Sequence, residues 1–339
     1  MSAITQTAVC IPIRNEAALL SYTLDALAAQ VGCAPFTLCL LFDSCDDGSQ
    51  AVVAARTAEL PFAIVTEEIV TRQPNAGRAR RRAMQMGLHT LADRGGNIIS
   101  TDADTFPDPN WLAMTEMALS VADVAAGRVV RAAGNPCPNQ DRIDAYYDAL
   151  FAHRRMLDPV PWEAKSTHHH TSGASLAFRA KAYRALDGFG PFPSAEDARL
   201  VDAAHLAGLR VRRDAAIGVR TSPRRVGRAV GGFADHLRSL DQGGAGVVMT
   251  HPEDLGWRYR RHAASRRAWP DLAKHATDLM TLLQCDLDHI DRMAAEATNA
   301  EAFAMRVVPE TPGGERLVPL FEAESALQRM SAAAQGRSA

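Results

Sequence analysis

The chain carries almost no net charge, a formal −2 over 339 residues. That excludes the broad basic field by which proteins hold nucleic acid, and no nucleic-acid partner is expected. Long apolar runs are also missing. No stretch approaches the roughly 18 consecutive apolar residues of a membrane-spanning helix, and Met1 to Thr7 has neither the basic start nor the apolar run of a secretory leader. A cytoplasmic protein without a transmembrane segment is expected. Six cysteines, Cys10, Cys33, Cys39, Cys45, Cys137 and Cys285, are scattered without a Cys-x-x-Cys pair or a histidine at zinc spacing, so they read as free thiols. Gly-x-Gly-x-x-Gly and Gly-x-x-x-x-Gly-Lys-Ser/Thr loops are absent, which removes the signatures of dinucleotide and P-loop phosphate binding. No internal repeat is present.

What remains is the alternation of an α/β protein. Ala8 to Ile13 reads as a buried strand, with Asn15 at a helix-cap position ahead of Leu19, Leu20, Leu24 and Leu27 at helical spacing. Phe36 to Phe42 is a second apolar run, followed by a turn-rich stretch and a helix from about Ser49 to Leu60. A strand near Phe62 to Thr66, a helix from Gly77 to Leu91 and a strand ending at Asp102 complete a pattern that implies a mostly parallel sheet. Later segments suggest added antiparallel strands: Val121 to Arg131, Ser175 to Phe178, and two short ones at Leu209 to Arg212 and Ile217 to Arg220. From Trp257 onward the spacing is helical, and Gly336 to Ala339 is expected to fray.

Acids collect just past the predicted strand ends: Asp43, the pair Asp102 and Asp104, and Glu196-Asp197. In an open α/β sheet such strand ends form the ligand crevice. Two carboxylates one residue apart are hard oxygen donors suited to Mn²⁺ or Mg²⁺ beside a diphosphate. Here the chain resembles the family 2 glycosyltransferases of the GT-A fold. The resemblance rests on Ile11-Pro12-Ile13-Arg14-Asn15-Glu16, Phe42 to Ser49, Gly77 to Arg80, Ser100 to Asp104, Ser172 to Arg179, Gly188-Phe189-Gly190 and Glu196 to Leu200, in that order over about residues 8–225.

The resemblance implies a GT-A domain over residues 1–250 with a helical C-terminal region over 251–339. It implies transfer of a sugar, of the hexosyltransferase type, from a UDP- or GDP-sugar to an unidentified acceptor hydroxyl, with inversion. Pro12, Arg14 and Glu16 would line the nucleotide floor, Asp43 would meet the base, and Arg78 or Arg80 would face base or phosphate. Asp104 would hold the metal, with Asp102 toward it or the ribose. Asp197 matches the family's catalytic carboxylate, with Glu196 as the alternative; adjacent helical residues point about 100° apart, so only one should reach the acceptor. Arg224 and Arg225 stand where many relatives carry a further metal ligand or diphosphate contact, and would clamp the diphosphate.

Blander readings stand beside these. Arg78 to Arg82 also fits a solvated helix face, the arginines near Arg224 an exposed basic helix start, and Glu196-Asp197 a pair of acids at a helix N-terminus. His168-His169-His170 reads as a loop, because three adjacent imidazoles in an extended segment cannot converge on one ion. Asp102-Ala103-Asp104-Thr105 also resembles the nucleophile motif of haloacid-dehalogenase-like phosphatases, with Asp102 as nucleophile, but the downstream Gly-Asp-x-x-x-Asp is missing. A non-catalytic sugar- or nucleotide-binding scaffold is the remaining alternative. The C-terminal helices could cover the acceptor side or form a homodimer contact.

Overall fold

A computed structural model describes residues 6–91, 95–229, 231–242 and 246–335; the Gly336 to Ala339 tail lies outside the described residues. The chain forms two compact units. The first takes Met1–Pro136, Ala164–Ala203 and Val211–Arg238; the second takes Cys137–Glu163, Ala204–Arg210 and Ser239–Ala339.

Among the described residues of the first unit, eight strands form one sheet: β1 (Thr7–Ile13), β2 (Phe36–Asp43), β3 (Ala63–Ile69), β4 (Asn97–Ser100), β5 (Thr105–Pro107), β6 (Val124–Arg131), β7 (Leu176–Arg179) and β8 (Val211–Thr221). Their spatial order is β3-β2-β1-β4-β7-β6-β8-β5. The β3-β2-β1-β4 half is parallel throughout, whereas β7 runs antiparallel to both its neighbours and β5 antiparallel to β8. Helices pack on both sides, which is why the parallel strands carry continuous apolar runs rather than alternation. On one face, Val9, Ile11 and Ile13 meet Leu20, Leu24 and Leu27 of the helix Ala17–Ala28 and Trp111 of the helix Trp111–Val121. On the other lies the helix Ala76–Leu91, where a Cβ on Gly87 would fall 2.5 Å from Cys10 Sγ, so only glycine allows this close approach to β1.

Three expectations are corrected. Asn15 is not the cap of the first helix: it adopts φ 54°, and its side chain exchanges hydrogen bonds with Asp46 (2.7 Å and 2.9 Å). The first helical N–H, that of Ala17, is met instead by Asp47 from the next loop at 2.8 Å. The two short strands expected between Leu209 and Arg220 are one strand, β8. It pairs in parallel with β6 through a bulge: Gly127 faces Asp214 and Arg128 faces Gly218, so the intervening residues interrupt the apolar pattern without ending the strand. The strand before the acid pair ends at Ser100 rather than Asp102, and a short β5 follows directly on Asp104.

The second unit is helical, with Pro138–Leu157, Pro252–Ala268, Leu272–Leu283, Leu287–Glu296, Ala300–Val307 and Leu320–Gln335 beside a two-stranded pair, β9 (Val248–Thr250) and β10 (Leu317–Pro319). Asp271, Asp286 and Asn299 cap three of these helices through their side chains. Leu279, Leu283, Ile290, Phe303 and Val307 form its core. Among the described residues no helix is long and apolar enough to cross a membrane.

A buried ion network also lies in this unit. Arg266 pairs with Asp158 and with Glu301, and His205 Nδ1 lies 3.2 Å from Glu301 Oε1. Burial would raise the Glu301 carboxyl, but His205 and Arg266 pull it down to about 2. A carboxyl lowered on folding stabilises the native state fully above its unfolded value of about 4.5 and loses that contribution as pH falls toward 2. Glu301→Gln should therefore lower the Tm at pH 7, by an amount on the order of 3 kcal/mol in stability, and the gap should close as pH is lowered below about 4.5. Thermal unfolding over this range checks it; a pH-independent gap would exclude the titration of Glu301 as its source.

Candidate active site

The parallel strands deliver their carboxyl ends to one edge of the sheet. Ile13 at the end of β1 is level with Phe42 of β2, and Cys10 is level with Ser100 of β4. The segments leaving these ends, with the loop after β8, enclose a cavity of about 210 Å³. Pro12 within β1, Arg14 and Glu16 after it, Asp43 at the end of β2, Arg80, Asp102 and Asp104, and Arg224 all line it. Residues far apart in the chain thus share one small, strongly charged space.

Each charge in it has a stated partner. Asp43, only 3% exposed, accepts from Thr71 Oγ1 at 2.6 Å and Ser44 Oγ at 3.0 Å, while Arg14 Nη1 donates to its other oxygen at 3.3 Å. Thr71 was not anticipated from the sequence, since it sits in no motif and is brought in only by the parallel pairing of β3 with β2, Asp43 opposite Ile69. Arg80, 7% exposed, sits between the acids: Nη1 is 2.9 Å from Asp102 Oδ1, Nε donates to Glu196 Oε1 at 3.0 Å, and Nη1 also donates to Ser100 Oγ at 2.8 Å and the Gly173 carbonyl at 3.1 Å. Burial opposes its charge, but Asp102, Glu196 and Asp197 outweigh burial and hold the guanidinium more firmly protonated than usual. The N–H of the same glycine donates to Asp197 Oδ2 at 2.8 Å.

The β5-β8 pairing assembles the remaining acids. Thr105 faces Thr221 across that pair, and Ser222 N–H donates to the Asp104 carbonyl at 3.1 Å, so Arg224 arrives beside Asp104. Its Nη2 lies 3.0 Å from Asp104 Oδ2, and the same guanidinium grips Glu16 with both nitrogens. Burial pushes the Asp104 carboxyl up to about 7; Arg224 works against this, and the charges of Asp102 and Glu16 add to it.

Two residues expected at the ligand do not line this cavity. Arg78 is exposed and borders an adjoining recess that it shares with Asp43, Thr71 and Asn75. Arg225 turns from the cavity, donating to the carbonyls of Pro223 at 2.7 Å and Pro136 at 3.2 Å. Arg228, the last arginine of the same stretch, lines the cavity and donates to the Asn15 carbonyl at 2.9 Å. In the histidine run, His168 is buried with Nε2 3.1 Å from the Ala126 carbonyl, and burial, then His170 and Arg213, push its pKa down to about 2, so it is neutral. His169 instead stacks on His170, with ring centroids 4.0 Å apart.

Fold and site together define an α/β protein with its ligand crevice at the carboxyl ends of parallel strands. The chain belongs to the family described as glycosyltransferase like family 2, whose family model matches residues 5–225, and its fold is GT-A. This membership sets aside the phosphatase reading of Asp102 to Thr105. Among solved structures the chain is similar to Staphylococcus aureus TarS 1-349 in complex with UDP-GlcNAc, at 13% identity over 89% of each chain with a TM-score of 0.49. It is also similar to the Pyrobaculum calidifontis mannosyltransferase PcManGT in complex with GDP-Man and Mn²⁺, at 16% identity over 90% of this chain and 86% of that one, TM-score 0.47. A third is glucosyl-3-phosphoglycerate synthase from Mycobacterium tuberculosis in complex with Mn²⁺, UDP-glucose and phosphoglyceric acid, at 17% identity over 73% and 84%, TM-score 0.43. No curated protein matches the chain.

Gly173 tests how tightly the site is built. A Cβ there would lie 2.4 Å from Arg80 Cζ, a contact that cannot persist. Gly173→Ala should cost about 1–3 kcal/mol by overpacking, measured by denaturant unfolding. A variant as stable as the wild type would mean that Arg80 is free to move aside.

Proposed function

We propose that the protein transfers a hexosyl group from a nucleoside diphosphate sugar to an acceptor hydroxyl with inversion at the anomeric carbon. The observation that carries this reading is the gathering of Asp43, Asp102, Asp104 and Arg224 around one cavity, with Asp197 linked to it through Gly173 and Arg80. A binding scaffold would not need acids from so many separate segments.

In this reading Arg14 and Asp43 take the nucleoside end. Asp102 and Asp104 suit a divalent cation, since both are hard oxygen donors lining the same cavity. Mn²⁺ or Mg²⁺ held there would supply positive charge for the departing diphosphate. Arg224 adds a guanidinium whose planar fork matches phosphate oxygens. Asp197 takes the proton from the acceptor hydroxyl as that oxygen attacks. Its Oδ2 is oriented by the Gly173 N–H, whereas Glu196 is engaged with Arg80, which favours Asp197 as the base. We assign the reaction to the cytoplasm.

Calorimetric titration of the wild type and Asp104→Ala with UDP and GDP, with and without Mn²⁺, tests the donor site. One nucleotide should bind the wild type in the presence of metal, and Asp104→Ala should lose that metal-linked binding. If no combination binds, the transferase reading fails. For the base, Asp197→Asn should keep nucleotide affinity within about twofold while transfer from the donor so identified falls roughly 10²–10⁴-fold. Normal transfer by this variant would remove Asp197 from the role.

A further inference from the structure

We propose that Arg224 is an exchangeable cation at Asp104: its guanidinium occupies the carboxylate in the nucleotide-free protein, and a divalent ion binds there by displacing it. This rests on the nucleotide-diphosphate reading of the cavity.

Arg224 makes two unequal attachments. Toward Glu16 the fork is bidentate, Nη1 at 2.6 Å from Oε2 with Nη2 on Oε1, and Glu16 is only 6% exposed. Toward Asp104 there is one contact, Nη2 to Oδ2 at 3.0 Å. Bidentate charge-assisted pairs are the stronger and more directional, so Glu16 is the pivot and Asp104 the releasable partner. The backbone near the arginine is held as well, since Ser222 N–H donates to the Asp104 carbonyl and Arg224 N–H donates to Ser222 Oγ at 3.4 Å. The side chain can therefore swing while its base stays in place.

A divalent ion bonds a carboxylate oxygen at about 2.0–2.6 Å. With Nη2 still at its 3.0 Å contact on Oδ2, an ion on either oxygen would bring two positive groups onto one partly buried carboxylate, where they repel. That repulsion favours release of the guanidinium, and a diphosphate in the same cavity provides oxygens to receive it. Metal and nucleotide then assist each other: the nucleotide draws Arg224 off Asp104, which frees the carboxylate for the ion. By linkage, the ion tightens nucleotide binding by the same factor.

The test is the affinity of Mn²⁺, followed by the electron paramagnetic resonance signal of the free ion, with and without UDP or GDP. It is run on the wild type, Arg224→Gln and Arg224→Lys. Arg224→Gln removes the competing charge, so Mn²⁺ alone should bind about tenfold tighter than to the wild type. The enhancement of Mn²⁺ binding by nucleotide, expected within the 5–150-fold range of ordinary couplings, should shrink several-fold. Arg224→Lys keeps a charge that cannot bridge both acids and should fall between, which keeps the test decisive if the glutamine variant does not fold. If the variants bind Mn²⁺ no tighter than the wild type while nucleotide still binds, the exchange is overturned and the nucleotide site stands. If neither Mn²⁺ nor nucleotide binds the wild type, the exchange and the transferase reading fall together.

Discussion

A buried arginine is tolerable only when its charge and its donors are met, and Arg80 imposes that constraint on much of the first unit. Its guanidinium reaches Asp102 in the loop after β4, Glu196 at the start of a helix, Ser100 within β4 and the Gly173 carbonyl ahead of β7. Ser100 and Asp102 share one segment, while Gly173 and Glu196 lie far along the chain, and moving any of the three segments would leave part of a buried guanidinium unpaired. Glycine at 173 follows from the same constraint, because the space a side chain would need is already filled. Gly173 is held at both its backbone groups, its carbonyl accepting from Arg80 and its N–H donating to Asp197. The acid read as the base is thus oriented by a residue that Arg80, the partner of Asp102, also holds.

On the far side of the cavity the organising constraint is backbone pairing. The short β5 exists because Thr105 to Pro107 find an antiparallel partner in β8, and that register draws the loop after Thr221 over Asp104. Arg224, Asp104 and Glu16 consequently form a chain of opposite charges across three loops. Burial, helped by the charges of Asp102 and Glu16, pushes the Asp104 carboxyl up to about 7 even though an arginine is in contact with it. Burial and like charges that shift a carboxyl in this way are common in functional clefts.

The second unit follows a different principle. Its core is made by short helices, three of which are capped by Asp271, Asp286 and Asn299, and an ion network, Asp158-Arg266-Glu301-His205, is buried inside it. Removing one member of such a network strands the others without water, so these residues act together rather than as independent contacts.

Apolar periodicity alone determined most of the elements, because a strand or helix buried on a known face leaves its repeat in the residues themselves. It placed β1, β2 and the helix through Arg80 close to their observed bounds; Asp43, Asp102 and Asp104 do lie at or just past strand ends, whereas Glu196 and Asp197 open a helix, and the ordered motifs identified the family. Capping was misread at Asn15, since the acceptor for Ala17 comes from Asp47 in another loop, and β8 was split because its bulge is set by β6. The destinations of the charged side chains were decided by tertiary structure. Nothing local to Arg80 indicates that it turns onto Asp102 and Glu196, nor that Arg224 reaches Asp104 while its neighbour Arg225 turns onto backbone carbonyls. Local sequence encodes which backbone can form and which face is buried; which charges meet depends on registers between strands distant in the chain, and those registers exist only once the sheet has closed.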